Sequence, residues 1–285
     1  MERDFSSISP SARSLLLMKG HTAIPFAREA ADLVRQGRDA AEAAGGADFW
    51  LRVAHFEDRY RSVDSLLGPA PAGNVLELSS GFSFRGLDAA LKYGVHYIDT
   101  DLPGIIAVKK ALLDSLAAGR VPVGQLETLA LNALDEGQFA ETVLRFPPGE
   151  LTVVNEGLLM YLGEAEKKKL CGIIRAALLE RGGSWITADV YLKMQGAREK
   201  LKVSVTEETK KFFERHRIEE NKFDSFEVAR AFFAEAGFAV EAEAQPARSP
   251  SAAMKRFLET LPPERLARLR GSGRIQATWR LRPVK

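Results

Sequence analysis

The chain has little cysteine, almost no charge imbalance and no long apolar run, and each scarcity removes a class of protein. A single cysteine, Cys171, among 285 residues closes no internal disulfide and lacks the Cys and His companions of a structural zinc site. That usage suits a reducing compartment, so a cytoplasmic protein is expected. Forty Lys and Arg against 38 Asp and Glu leave a net charge of +2, without the basic excess that would mark nucleic acid as a partner. No window reaches the ~20 uninterrupted apolar residues of a membrane span, and Leu15-Leu16-Leu17-Met18 is flanked by Arg13 and Lys19. Neither a membrane span nor a secretory signal is expected. There is no self-similarity at a period of roughly 20 to 50 residues, which argues against a solenoid or propeller.

What is present is an ordinary globular mixture, 46% hydrophobic, 27% charged and 8% aromatic. From about residue 74, short β-branched or apolar runs alternate with longer helical stretches, the pattern of strands buried by crossover helices. The fold class expected is α/β, a doubly wound, mostly parallel seven-stranded sheet. Strands are predicted at 74–79, 95–101, 126–131, 151–155, 184–190, 238–244 and 274–281, the last two as an antiparallel pair. Helices are predicted at 85–92, 104–118, 139–144, 164–181, 226–235 and within 250–270. Residues 1–68 read as an N-terminal helical cap, with apolar three-and-four spacing in 26–38 and 48–60. A Pro69-Ala-Pro71-Ala-Gly73 hinge then leads into the main domain, 69–285. Within it, the charge-dense stretch 193–222 reads as a solvated helical insertion or a lid.

In a doubly wound sheet, ligands bind beyond the carboxyl ends of the strands. The first predicted strand, Asn74-Val-Leu-Glu-Leu-Ser79, breaks into Ser80-Gly81-Phe-Ser-Phe-Arg85-Gly86. Small residues there let a ligand approach the backbone, but a plain strand-to-helix turn would look the same. It is neither a GxGxxG fingerprint nor a P-loop, so a dinucleotide and a triphosphate are both disfavoured. The second strand ends in Asp99-Thr-Asp101, which places Asp101 20 residues beyond Gly81, where such folds offer a carboxylate to a ribose diol; helix capping is the competing role. Asn132, after the third strand, is a turn residue or an adenine contact. Glu156, after the fourth strand and beside Gly157, is hard to explain as packing.

Three segments then carry a resemblance. Glu156-Gly157-Leu158-Leu159-Met160-Tyr161-Leu162 resembles the Glu-Gly-Leu-Leu-x-Tyr-Leu signature of the leucine carboxyl methyltransferase and tetracenomycin-type O-methyltransferase family. Asp99-Thr-Asp101-Leu102-Pro103 followed by Lys109 is similar to its acidic-x-Asp-Leu-Pro segment, and Arg59-Tyr-Arg61-Ser-Val-Asp64 to its Arg-Thr-Arg-x-x-Asp segment. With the helical cap, the resemblance covers about residues 11–190. It implies a class I methyltransferase fold with S-adenosylmethionine as cofactor and no metal. By position, Arg59 and Arg13 would hold the methionine carboxylate, with Lys19 as a competitor to Arg13. Ser79, Ser80 and Gly81 would line the methionine moiety, Asp101 would take the ribose hydroxyls, Asn132 and Ala133 would meet the adenine, and Glu156 would face the amino-acid end, with Glu77 and Leu102 also among the cofactor-binding residues. Physically, a zwitterionic tail needs a guanidinium and an acceptor, and a ribose needs a bidentate acceptor. The chain departs from the family in Ser79 for its usual glycine, in Ser83-Phe84-Arg85 for Asp-x-Arg, and in Asn132 for a frequent Asp, which keeps an acceptor but removes a charge.

Methyl transfer from a sulfonium is an in-line displacement that asks mainly for alignment in a pocket without water. A carboxylate acceptor needs no base. A hydroxyl acceptor would want one, for which Tyr161, His21 and His55 are candidates, each also readable as structural. The expected activity is O-methylation of a carboxyl or hydroxyl group of a small molecule, with a peptide or protein carboxyl as a further possibility by family analogy. The alternative is a protein that binds S-adenosyl ligands in a regulatory or partner-binding role without transferring.

Overall fold

The computed structural model describes residues 9–35, 46–69, 73–195, 207–247, 249–261, 264 and 273–285. Three helices come first, α1 (Ser9–Lys19), α2 (Ala27–Arg35) and α3 (Ala47–Leu67). Strand and helix then alternate: β1 (Gly73–Leu78), α4 (Arg85–Lys92), β2 (Val95–Asp101), α5 (Pro103–Ala117), β3 (Gln125–Ala130), α6 (Glu136–Val143), β4 (Leu151–Asn155), α7 (Glu164–Arg181) and β5 (Gly183–Tyr191). The chain closes with α8 (Glu207–Arg215), α9 (Phe226–Glu235), β6 (Phe238–Glu243), α10 (Ala252–Thr260) and β7 (Gln276–Pro283). A single 3₁₀ turn, Leu159–Tyr161, lies between β4 and α7.

The strands form one sheet in the order β3-β2-β1-β4-β5-β7-β6. The pairs β1–β2, β2–β3, β1–β4 and β4–β5 are parallel, while β7 runs antiparallel to both β5 and β6. The predicted antiparallel pair is therefore present, with β7 inserted between β5 and β6. The chain winds outward from β1 to β3 and returns to β4 on the other side, so the strand order reverses between β1 and β4. That is where a doubly wound sheet opens a crevice.

Both faces of the central strands are covered, which is why β1 and β5 are buried along nearly their whole length rather than at alternate positions. On one face Leu76, Leu78, Ile98, Val153, Trp185 and Trp279 pack with Phe139, Leu170, Ile174 and Phe233 of α6, α7 and α9. On the other, Val75, Tyr97, Val154, Ile186 and Ala188 meet Val63 and Leu66 of α3 and Ala89 of α4. The period-2 alternation between Val75 and Leu76, or Trp185 and Ile186, sends neighbours to opposite cores.

The cap runs further than the sequence periodicity predicts. The 48–60 pattern is α3, which continues to Leu67 and keeps its apolar side on the sheet through Val63 and Leu66. Helix α6 starts three residues ahead of its predicted 139–144 span, because Asp135 accepts the N–H of Gln138 and sets the N-terminus there. Helix α5 opens on Pro103, whose fixed φ suits the first helical position. Residues 70–72 of the predicted hinge, 36–38 of the helix predicted over 26–38, 196–206 of the predicted lid and most of 262–272 lie outside the described residues. The described part of the lid contains α8; the rings of Phe212 on it and of His216 just beyond it pack edge-on against Tyr161 and tilted against each other. Among the described residues no helix is long and apolar enough to cross a membrane.

Candidate functional site

The carboxyl end of β1 turns through Ser79, Ser80 and Gly81. Ser79 has φ +49° and Gly81 φ +50°, both in the left-handed region, where a side chain costs about 1–2 kcal/mol. The turn is held from β2: Ser80 N–H donates to the Thr100 carbonyl at 2.9 Å, and Gly81 N–H to Asp101 Oδ2 at 2.7 Å. Asp101 Oδ1 accepts the N–H of Leu102 at 2.7 Å, so the carboxylate bridges the mouths of β1 and β2. Burial pushes its carboxyl above the ordinary value, and the two N–H donors oppose that shift. Beneath it, Asp99 forms a fully buried 2.9 Å ion pair with Lys109, which also donates to Ser80 Oγ at 2.8 Å. Burial raises the Asp99 carboxyl to about 6 against the pull of Lys109.

Beyond β4, Glu156 is enclosed by three cations from three elements. Its Oε1 accepts from Lys19 Nζ at 2.9 Å and from Arg59 Nε and Nη2 at 3.2 and 3.0 Å; its Oε2 accepts from Arg85 Nη2 at 3.1 Å. Burial alone would raise this carboxyl, but Lys19, Arg59 and Arg85 outweigh it and hold Glu156 well below the usual carboxylate range. Lys19 is lowered too, but by burial: desolvation, helped by Arg59, brings its amine down against the attraction of Glu156. Arg85 reaches a second carboxylate through Nη1 to Glu77 at 2.6 Å and a third through Nε to Asp64 at 2.8 Å. Its guanidinium lies 4.0 Å from the centroid of Tyr60. Gly157, at φ +90°, lets the backbone pass beside Arg59: a Cβ there would sit 3.5 Å from Nη2.

The loop that carries Glu156 is fixed from β5. Asp189 is buried and accepts from Asn155 Nδ2, Gly157 N and Leu158 N at 2.6 Å each, and from Leu159 N at 3.0 Å. Next along β5, Tyr191 Oη accepts from Arg59 Nη1 at 3.1 Å and lies 2.8 Å from His55 Nε2. Sequence reading missed Lys19 as more than a competitor, Arg85 as a direct partner of Glu156, and Asp189 and Tyr191 altogether. A polar residue inside an otherwise apolar buried strand, Trp185-Ile-Thr-Ala-Asp189-Val-Tyr191, was the available signal for the last two.

The residues nominated from sequence divide into groups. Ser79, Ser80 and Gly81 follow β1, Asp101 and Leu102 lie at the end of β2, and Glu156 follows β4, so they sit at the carboxyl ends of three neighbouring strands, with Arg59 and Lys19 on Glu156. Asn132 and Ala133 follow β3, next to Asp101, whose carbonyl accepts the Leu131 N–H. The Asn132 side chain accepts from Leu134 N–H at 3.1 Å, a turn contact of its own, and Ala133 is buried. Glu77 is wholly buried, with its oxygens on Arg85 and on Tyr97 Oη at 2.6 Å, so it supports the cluster from below rather than lining the crevice. Arg13 is exposed on α1, where its guanidinium donates to the Val34 carbonyl at 3.3 Å; Lys19, not Arg13, is the α1 cation against Glu156. Tyr161 points to the lid helix, and His21 packs edge-on against Phe49 and Trp50 in the cap. No group of three or more His, Cys, Asp and Glu suited to a metal ion occurs among the described residues.

No family model matches the chain, and no curated protein matches it. Solved structures do. Magnesium protoporphyrin IX methyltransferase (ChlM) from Synechocystis PCC 6803, with bound S-adenosylhomocysteine (SAH), is 11% identical and aligns over 90% of this chain and 94% of that one, with a TM-score of 0.50. The mitomycin 7-O-methyltransferase MmcR is 11% identical over 99% of this chain and 69% of that one, with a TM-score of 0.47. LepI in complex with SAM is 10% identical over 79% of this chain, with a TM-score of 0.44, and this chain spans about half of its length, 46%. At such identities the likeness is one of architecture: the seven-stranded, mostly parallel sheet with flanking helices is the class I methyltransferase fold, shared with ChlM.

Proposed function

We propose that the protein is an S-adenosylmethionine-dependent O-methyltransferase that transfers a methyl group to a carboxyl or hydroxyl oxygen of a small molecule. The observation that carries this reading is the placement of Asp101 at the carboxyl end of β2 and of the Lys19–Arg59–Glu156 cluster beyond β4, on either side of β1. Arg85 has Glu77 and Asp64 as further partners, whereas Lys19 and Arg59 share Glu156 as their ion-pair carboxylate among the described residues. A ligand carboxylate would balance them, and Glu156 would take an ammonium. These are the two charges of a methionine tail. Asp101 suits ribose hydroxyls, and the Asn132–Ala133 backbone the adenine. The donor set therefore fits the cofactor.

When bound, the cofactor supplies an electrophilic methyl group on a sulfonium. The chain's residues would orient it: Lys19, Arg59 and Glu156 would hold one end and Asp101 the other. The resemblance of the Glu156–Leu162, Asp99–Lys109 and Arg59–Asp64 segments to leucine carboxyl methyltransferases and tetracenomycin-type O-methyltransferases supports the same assignment. The test is calorimetric titration with SAH, with NAD as control. Binding of SAH alone is expected; a folded protein that ignores it overturns the reading.

A further inference from the structure

We infer that Tyr191 and His55 form a proton relay facing the methyl acceptor, and that the acceptor group is a hydroxyl rather than a carboxylate. This rests on the methyltransferase reading above and narrows it. The relay follows from donor and acceptor accounting at one oxygen. Tyr191 Oη has two partners among the described residues, Arg59 Nη1 at 3.1 Å and His55 Nε2 at 2.8 Å. Arginine only donates, so the relay directs the hydroxyl hydrogen of Tyr191 to His55 Nε2, the acceptor within hydrogen-bond distance of it among the described residues. The imidazole is then the tautomer with its hydrogen on Nδ1.

That arrangement leaves one lone pair on Tyr191 Oη. A hydroxyl acceptor can donate to it; an ionised carboxylate, which brings only lone pairs, cannot. The location suits an acceptor. Tyr191 ends β5, one residue ahead of Leu192, which bridges to Phe223 at the far end of the lid insertion; His55 projects from the cap helix α3. The pair therefore joins the cap to β5 beside the point where the lid insertion leaves the sheet, and Arg59 links it to Glu156 at the cofactor end. The groups facing His55 are Arg59 on its own helix, Tyr191 on β5, Glu156 after β4 and Lys222 before α9. Burial, then the nearby Arg59, bring the imidazole down to about 4, so it is neutral and able to accept a proton at neutral pH.

The step balances. The acceptor O–H gives its proton to Tyr191 Oη as the Tyr191 proton passes to His55 Nε2. The acceptor oxygen bonds to the methyl carbon, and the carbon–sulfur pair returns to sulfur. One positive charge disappears at sulfur as one appears on the imidazole, which makes protonation of this weak base less costly at the moment it occurs. His55 is half-buried, so the ring returns its proton to solvent afterwards.

The test reads the imidazole nitrogens of His55 by heteronuclear NMR in the free protein and in the SAH complex, with phenol and benzoate as probe ligands. Nε2 without a proton is expected in both states, with a response to phenol and none to benzoate. Tyr191→Phe should keep SAH affinity and weaken phenol binding at least about 5-fold, the loss of one hydrogen bond. A proton on Nε2, an equal or larger response to benzoate, or no response to either probe overturns the relay. Absence of SAH binding overturns instead the methyltransferase reading, while the tautomer of the free protein reports on the pair independently.

Discussion

Lys19 Nζ, on the last turn of α1, stands 2.9 Å from Glu156 Oε1 beyond β4, joining the cap to the sheet across 137 residues of sequence. Both side chains are almost sealed from water, at 6% and 4% exposure. Such a pair adds little to stability when intact, because desolvating the two charges offsets their attraction, but removing one member strands the others. Glu156→Gln would leave Lys19, Arg59 and Arg85 facing one another. Its unfolding free energy in urea should fall by about 3 kcal/mol. A loss below ~1 kcal/mol would show that water already screens the cluster.

Asp189 is the support on which Glu156 depends. Four donors converge on its carboxylate, three of them successive backbone N–H groups from Gly157 to Leu159. An asparagine of the same shape turns an NH₂ toward donors that need an acceptor. Asp189→Asn should cost about 2–3 kcal/mol in stability. It should also weaken SAH binding, although Asp189 itself lies behind the loop. Calorimetry on the variant separates the effects: full SAH affinity in a destabilised protein would confine Asp189 to folding.

How far the sequence reveals this site depends on the range of the forces that build it. Asp101 and Glu156 are legible because each follows a strand whose apolar run is local, and the end of a parallel strand is where polar residues face ligand. The parallel order of the sheet is legible for the same reason. The Lys19–Glu156 and Arg59–Tyr191 contacts are not, since they join residues more than a hundred positions apart and leave no periodic trace. Arg13 illustrates this: it and Lys19 lie on one helix, and only tertiary packing puts Lys19 on Glu156 while Arg13 meets the Val34 carbonyl. The contact of the Tyr161 ring with Phe212 and His216 is also long-range and leaves no local pattern.

Ser79 carries strain at the site. Its φ of +49° lies where glycine is unhindered, and the turn is fixed by Ser80 N–H to Thr100 and Gly81 N–H to Asp101. Ser79→Gly relieves about 1–2 kcal/mol of strain and adds about 0.5–1 kcal/mol of unfolded-chain freedom. The net change in thermal denaturation should be neutral to slightly stabilising. Ser79→Val, branched at Cβ, should be clearly destabilising. If the glycine variant instead lost stability, the serine hydroxyl would have a role in the turn that outweighs the strain.

His55 gives a pH signature. Its imidazole is held at about 4 by burial and by Arg59, against an ordinary value of 6.5. Between these values the unfolded chain binds more protons than the folded one, so stability rises with pH across the window. This contribution is complete above about pH 6.5 and is lost as pH falls toward 4. Urea unfolding at a series of pH values should show a shallower slope in His55→Gln than in the wild type. Equal slopes would mean that His55 titrates alike in both states.

The two ends of the crevice can be separated by ligands that contain one end or both. SAH has the amino-acid tail and the nucleoside; adenosine has only the nucleoside. Lys19→Met removes a cation from the tail side, so it should weaken SAH by about 1–2 kcal/mol, the strength of a charge-assisted hydrogen bond, and leave adenosine unchanged. Asp101→Ala removes the carboxylate at the mouth of β2 and should weaken both ligands by a similar amount. It also strips Gly81 N–H and Leu102 N–H of their acceptor, so some of its effect will appear as a lower melting temperature in the ligand-free protein. Asp101→Asn retains an acceptor for one of these groups and should recover part of that stability while leaving the ribose contact weak. If Lys19→Met and Asp101→Ala affected the two ligands in the same proportion, the ends of the ligand would not lie where the charges place them, and the orientation from Glu156 to Asp101 would have to be abandoned.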